Sequence, residues 1–327
     1  MRAVWYERNG PARDVLVLGE MPDPEPGLGE VRVRLKASGV NPADTYWRAG
    51  TNAPIAHPRV IPNSDGAGLV DKVGPGVPAS LTGKRIWLYN GQRGGRAFGT
   101  AAEFITLSAD LVTDLPPGVS FAEGATLGIP CMTAHCCLFA AGPVQGRTIL
   151  VTGGAGAVGH YAVQLAKWAG ARVIATVSSE EKAEKAKAGG ADHVVDYKRE
   201  DVAARVREIT GGTGVDHVVE VDAGANLAAT LASVRYNGSI AAYASVGARE
   251  PKVAMYELIR RNLTFQGVYL ANHPHPARKR AQADITAWLA SGRRMLSVAA
   301  RFSLDETAAA HELVEQGGKA GTVVVEP

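Results

Sequence analysis

Thr148-Ile149-Leu150-Val151-Thr152-Gly153-Gly154-Ala155-Gly156-Ala157-Val158-Gly159 is the stretch that decides the fold. Apolar and β-branched residues run into glycines, and the apolar period then changes to the helical spacing of Val158, Ala162, Leu165, Ala166 and Ala169. The pattern predicts a strand, a tight turn and a helix. Gly154, Gly156 and Gly159 match G-x-G-x-x-G, in which one glycine permits the turn, the next lets backbone N–H groups approach a pyrophosphate, and the last lets helix and strand pack closely. The helix N-terminus adds free donors and a partial positive charge. Glycine triplets alone are weak evidence in a chain with 38 glycines. Here a second strand, Arg172-Val173-Ile174-Ala175-Thr176-Val177, follows at the length a parallel crossover requires.

Downstream, the β, α alternation continues with strands at 191–196, 215–221 and 239–244, helices near 201–209 and 226–234, and a closing apolar run at 263–270. Six such strands with intervening helices make a doubly wound parallel sheet. After Tyr269 the alternation stops. Helices at 277–290 and 305–316 and a last strand at 322–325 are too little for a third domain, so the tail is expected to return to the first. Upstream, residues 1 to about 121 read as short strands with frequent turns, among them the alternation of Val31, Val33 and Leu35 and the segments 67–74 and 84–89. This predicts a small β-barrel-like domain, followed by a helical stretch over 130–141. The boundaries expected are 1–123 for the first part of that domain, 124–264 for the dinucleotide-binding domain and 265–327 for the return segment.

Composition excludes several classes. Hydrophobic content of 46% with 20% charged residues is that of a globular protein, and 327 residues can bury two cores. A net charge of +3 without a Lys/Arg block argues against a nucleic-acid footprint, and Arg278-Lys279-Arg280 reads as a solvated helix face. No apolar run approaches the ~18 residues of a membrane span, and the chain starts in a strand-like pattern instead of a signal peptide. Cys131, Cys136 and Cys137 form no disulfide framework, so a reducing, cytoplasmic setting is expected. Cys131 and His135 share a helical face, but without a third ligand they read as packing and no metal site is expected.

The second strand ends in Thr176-Val177-Ser178-Ser179, without the acid that would hold a ribose and repel a 2′-phosphate. Ser178 and Ser179 can donate to a phosphate and Lys182 can supply charge one turn along, so NADPH is expected over NADH. Ser178 with Glu181 also reads as a capping box, and Glu180 and Glu181 must then point away from the phosphate.

The chain resembles the medium-chain dehydrogenase/reductase superfamily and, within it, the zinc-free quinone oxidoreductases related to ζ-crystallin. The resemblance covers nearly the whole length. It rests on Gly39-Val40-Asn41-Pro42-Ala43-Asp44-Thr45-Tyr46, Gly66-Ala67-Gly68-Leu69-Val70, Val73-Gly74-Pro75-Gly76-Val77, Ala102-Glu103-Phe104, the glycine loop, and a tail with Ala310-His311 and Gly318-Lys319-Ala320-Gly321. It implies a GroES-like catalytic domain split around a Rossmann domain, and a homodimer through the edge of the Rossmann sheet near 263–270. It places Asn41, Asp44 and Tyr46 in the catalytic cleft, with Asn41 and Tyr46 bonding cofactor or substrate and Asp44 ordering the loop. Cofactor contacts carry over to Ala157, Val158, Ser178, Lys182, Tyr197, Ala244, Ser245, Val246, Gly267, Val268 and Tyr269. Where zinc enzymes carry Gly-His-Glu this chain has Asn63-Ser64-Asp65, and no cysteine precedes Cys131. The expected activity is NADPH-dependent reduction of quinones. Reduction of conjugated C=C bonds in alkenals, enones or enoyl thioesters is the alternative, with a non-enzymatic NADPH-binding or RNA-binding crystallin-like protein as a third reading. Asn41-Pro42-Ala43-Asp44 also reads simply as the start of a helix.

Overall fold

The structure is a computed structural model that describes residues 1–51, 53–318 and 321–327. Lys319 and Ala320, quoted above for the resemblance, lie outside the described residues. The chain divides into two compact units, Met1–Ile129 with Leu296–Pro327, and Pro130–Met295.

In the first unit the central strand Glu30–Val40 pairs antiparallel with Asp65–Val73 on one side and with both Phe104–Ser108 and Thr322–Glu326 on the other. Its first half alternates because one face is solvated: Val31, Val33 and Leu35 are buried while Arg32 and Arg34 are not. From Ala37 to Val40 every residue is buried. The return segment explains this change. Val323 and Val325 join Val40, Ala3, Val4 and Leu304 in one cluster, and strand Val298–Ser303 extends the sheet beyond Thr322–Glu326.

In the second unit the described strands form a six-stranded parallel sheet. Their order is His193–Asp196, Arg172–Val177, Thr148–Val151, Val215–Glu220, Val234–Ala242, Thr264–Gly267. The connection reverses direction between Thr148–Val151 and Val215–Glu220, which is the switch point where α/β sheets open a crevice at their carboxyl ends. Leu150, Ile174, Val195, Val218 and Ile240 line up in one core cluster across the sheet.

Three expectations differ from the structure. The chain leaves the second unit at Leu296 rather than at 265, and enters it at Pro130 rather than at 124. The cause is helix His275–Ala290, whose Ala281, Ile285, Trp288 and Leu289 are buried within the second unit, with Trp288 edge-on to Tyr161 at 6.0 Å. Gln164 fixes the exit by bonding both the N–H and the carbonyl of Met295. Second, helix Met255–Arg261 and strand Val298–Ser303 arise where no element was read. Third, Ser179 and not Ser178 caps helix Glu180–Ala188, its hydroxyl accepting from Lys182 N, so the expected Ser178–Glu181 box does not form.

Candidate functional site

The glycine turn is built from backbone. Gly153 alone of its glycines takes a left-handed φ, +64°, so the conformational freedom lies one residue before the G-x-G-x-x-G triplet. The triplet serves close approach instead. A Cβ on Gly154 would stand 2.6 Å from that of Ala175, and one on Gly159 would stand 2.2 Å from the Gly153 carbonyl oxygen. Gly156 is the N-cap of helix Ala157–Trp168 and carries no side-chain cap, which leaves the first-turn N–H groups at Ala157, Val158 and Gly159 to an external acceptor.

The floor of this turn is held by Glu220, a buried carboxylate that the sequence reading missed. It accepts from Thr152 Oγ1 at 3.0 Å, Asp222 N at 2.7 Å, Asn226 Nδ2 at 2.8 Å and Thr230 Oγ1 at 2.6 Å. Asp222 caps helix Ala223–Ser233 and also accepts from Gly247 N at 3.0 Å, securing the segment after strand Val234–Ala242. An Asp before a small-residue helical run signals such a cap.

Every expected cofactor residue of this unit falls at the carboxyl end of the sheet. Ser178 follows Arg172–Val177, and its hydroxyl, released from capping, accepts from Lys182 Nζ at 3.1 Å. Tyr197 is 51% exposed and donates its N–H to Val177 O at 3.1 Å, which puts it beside the same strand end. Ala244 accepts from Ala223 N, Ser245 Oγ donates to Ala248 O, and Val246 is exposed. Gly267 closes the edge strand, Val268 is buried with its N–H on Ala242 O, and Tyr269 is exposed. Five strand ends thus contribute to one edge. His135 is turned away into packing, its Nε2 2.8 Å from Asp284 Oδ2 and its ring 4.5 Å from that of Phe139. Burial holds its pKa below the ordinary histidine value against the pull of Asp284.

In the first unit, Asn41 is the N-cap of helix Pro42–Ala49 with Pro42 at its first position, so the helix-start reading of this motif is correct. The same residues also form a buried polar node. Asp44 Oδ2 accepts from Asn41 N at 2.8 Å, while its Oδ1 accepts from Ser64 Oγ at 3.0 Å and from Arg93 Nη2 at 2.8 Å. Asn41 Nδ2 donates to Asp65 Oδ2 at 2.8 Å, and Asp65 also accepts from Ile129 N at 2.8 Å. Burial, followed by the nearby Asp44 charge, pushes the Asp65 carboxyl well above the usual range. Tyr46 is 40% exposed. Behind the node, His311 Nε2 lies 2.9 Å from Asn63 Oδ1, and burial drives its pKa down to about 3. Arg93 was missed because it lies 49 residues from its partner in a glycine-flanked loop. Among the described residues no group of three or more His, Cys, Asp or Glu is placed to hold a metal ion.

Two family models match, the alcohol dehydrogenase GroES-like domain over residues 27–117 and the zinc-binding dehydrogenase domain over 157–288. A 2-haloacrylate reductase from a Burkholderia species is 33% identical, with the match covering 100% of this chain and 99% of the relative. The chain belongs to the quinone oxidoreductase family of the medium-chain dehydrogenase/reductase superfamily. Quinone oxidoreductase from Rattus norvegicus is 31% identical, over 99% of this chain and 97% of its own. A mycobacterial protein solved in complex with NADPH superposes with a TM-score of 0.87 at 32% identity, each chain covered completely. The superfamily is one of oxidoreductases, and the chain is an oxidoreductase of that fold.

Proposed function

We propose that this protein is an NADPH-dependent reductase that delivers hydride, without zinc, to quinones. The observation that carries the reading is the end of strand Arg172–Val177, where a serine hydroxyl and the Lys182 ammonium converge and no carboxylate intervenes between them. That pair suits a 2′-phosphate, and the uncapped N-terminus behind Gly156 suits a pyrophosphate. Bound NADPH supplies a hydride. Ala157 and Val158 would hold its phosphates, Ser178, Lys182 and Tyr197 its adenosine end, and Ala244 to Val246 with Gly267 to Tyr269 the rest of the crevice wall. On the acceptor side Asn41 and Tyr46 would offer hydrogen bonds where charge develops, with Asp44 fixing Asn41. Ser64 and Asp65, where a zinc enzyme carries His and Glu, bond Asp44, Asn41 and Ile129, which supports the reading without zinc.

Full-length similarity to a 2-haloacrylate reductase favours a second acceptor class, conjugated C=C bonds. A screen of NADPH oxidation against quinones, enals and enoyl thioesters, with an NADH control, tests both. Hydroquinone or semiquinone product supports the first class and a saturated carbonyl product the second, while NADPH binding without turnover sinks both.

A homodimer forms through the same unit in this reading. Among the described residues Thr264–Gly267 is bonded on one side only, to Val234–Ala242, and Tyr236, Met255, Tyr256, Ile259 and Phe265 are exposed. Sedimentation as a monomer at micromolar concentration would remove this assignment. Among the described residues no helix is long and apolar enough to cross a membrane, and the three cysteines are free and buried, which suits a cytoplasmic setting.

A further inference from the structure

We propose that Arg93 is a positioning residue for Asn41, acting through the carboxylate of Asp44. This rests on the reading that Asn41 serves the acceptor. The Arg93 side chain is 4% exposed and that of Asp44 is fully buried, so their ion pair is desolvated. Nη2 of Arg93 reaches Asp44 Oδ1 at 2.8 Å, and Nη1 donates to the carbonyl oxygen and Oε1 of its neighbour Gln92 at 2.7 and 2.9 Å. The guanidinium therefore ties an irregular loop, which carries left-handed Gly94 and Gly95, to the first turn of helix Pro42–Ala49.

Charge counting explains why the tie matters. The node holds two buried carboxyl groups, Asp44 and Asp65, against one guanidinium. The guanidinium bonds Asp44, whereas Asp65 is met by the neutral donors Asn41 Nδ2 and Ile129 N, and burial with the nearby Asp44 charge pushes its carboxyl well above the usual range. Asp44 uses Oδ1 for Arg93 and Oδ2 for the Asn41 N–H at 2.8 Å, so one carboxyl group joins the loop to Asn41. Removing the guanidinium takes away the ion-pair partner that holds this buried side chain, so the oxygen that sets the Asn41 backbone is no longer fixed in place. Through this link, the loop around 90–97 and the hydrogen-bonding residue of the acceptor site act as one unit.

The test compares Arg93→Met, Arg93→Lys, Asp44→Asn and the double variant Arg93→Met with Asp44→Asn. Two readouts are followed: exchange of the Asn41 amide hydrogen, and kcat and KM with benzoquinone. Arg93→Met is expected to speed exchange at Asn41 roughly tenfold and to lower kcat about 30-fold, with NADPH affinity unchanged within about twofold. Arg93→Lys restores part of both. The double variant returns to within about fivefold of Asp44→Asn alone, because an amide oxygen still accepts the Asn41 N–H and no charge is stranded. Unchanged exchange at Asn41 in Arg93→Met overturns the proposal, as does a double variant whose loss equals the product of the two single losses. Absence of NADPH turnover in the unaltered protein strikes the functional reading alone, since amide exchange is measured without it.

Discussion

The glycine turn and the polar node do their work by opposite means. Twelve contiguous residues make the turn, and what matters in them is the missing Cβ at Gly154 and Gly159, where any side chain would meet Ala175 or the Gly153 carbonyl. The node is assembled from Asn41, Asp44, Ser64, Asp65, Arg93 and Ile129, with bonds spanning up to 64 residues, and what matters there is charge. A site made of backbone is sensitive to volume before it is sensitive to charge. A site made of buried side chains reverses that order.

Substitutions separate the two. Asp44→Ala strands the buried Arg93 guanidinium and is expected to lower stability by about 3–5 kcal/mol in urea unfolding, without weakening NADPH binding by the surviving folded protein. Gly159→Val acts on the other region. Its side chain meets the Gly153 carbonyl, which is backbone and cannot turn aside, so the turn is forced open, raising the NADPH dissociation constant about 100-fold, equivalent to roughly 2.7 kcal/mol, and lowering the unfolding midpoint as well. A Gly159→Val protein that binds NADPH normally would break the comparison.

Acid probes both units together. His217 in the second unit is pushed down to about 4 by burial, despite hydrogen bonds to Ser239 and Cys137 O, and His311 in the first unit to about 3 by burial with Arg48 nearby. Both are neutral when folded, whereas the unfolded chain takes up protons below roughly pH 6.5. The stability they contribute is present above that value and is lost as pH falls toward their folded values. At pH 5 each costs about 2 kcal/mol, so unfolding midpoints should drop between pH 7 and pH 5. A midpoint that stays flat over this range contradicts the buried neutral state of these rings.

The same contrast explains what could be read from the sequence. Strand, turn and helix around Gly154 are contiguous and change period at a marked point, so the parallel sheet and the glycine turn at its carboxyl end were legible. The choice between Ser178 and Ser179 as cap was not, because Glu181 stands at capping-box spacing from Ser178 while Lys182 stands there from Ser179, and the outcome depends on where strand Arg172–Val177 ends. Helix His275–Ala290 shows an apolar face through Ala281, Ile285 and Trp288, but periodicity does not say which core that face covers. Asn41 and Asp44 were found through resemblance to a family, and their partner Arg93 was not, since nothing in a glycine-rich loop announces a distant carboxylate. Glu220 escaped for a similar reason: a carboxylate at a strand end looks solvated until four donors are brought to it by folding.

Paired titration of the purified protein with NADPH and with NADH tests the central claim most directly, repeated on Lys182→Ala. The account predicts NADPH binding tighter than NADH by about tenfold or more, close to 1.4 kcal/mol, and a gap narrowed to about threefold or less once the Lys182 ammonium is gone from beside Ser178. Equal affinity for the two nucleotides in the unaltered protein, or a preference untouched by Lys182→Ala, would contradict it.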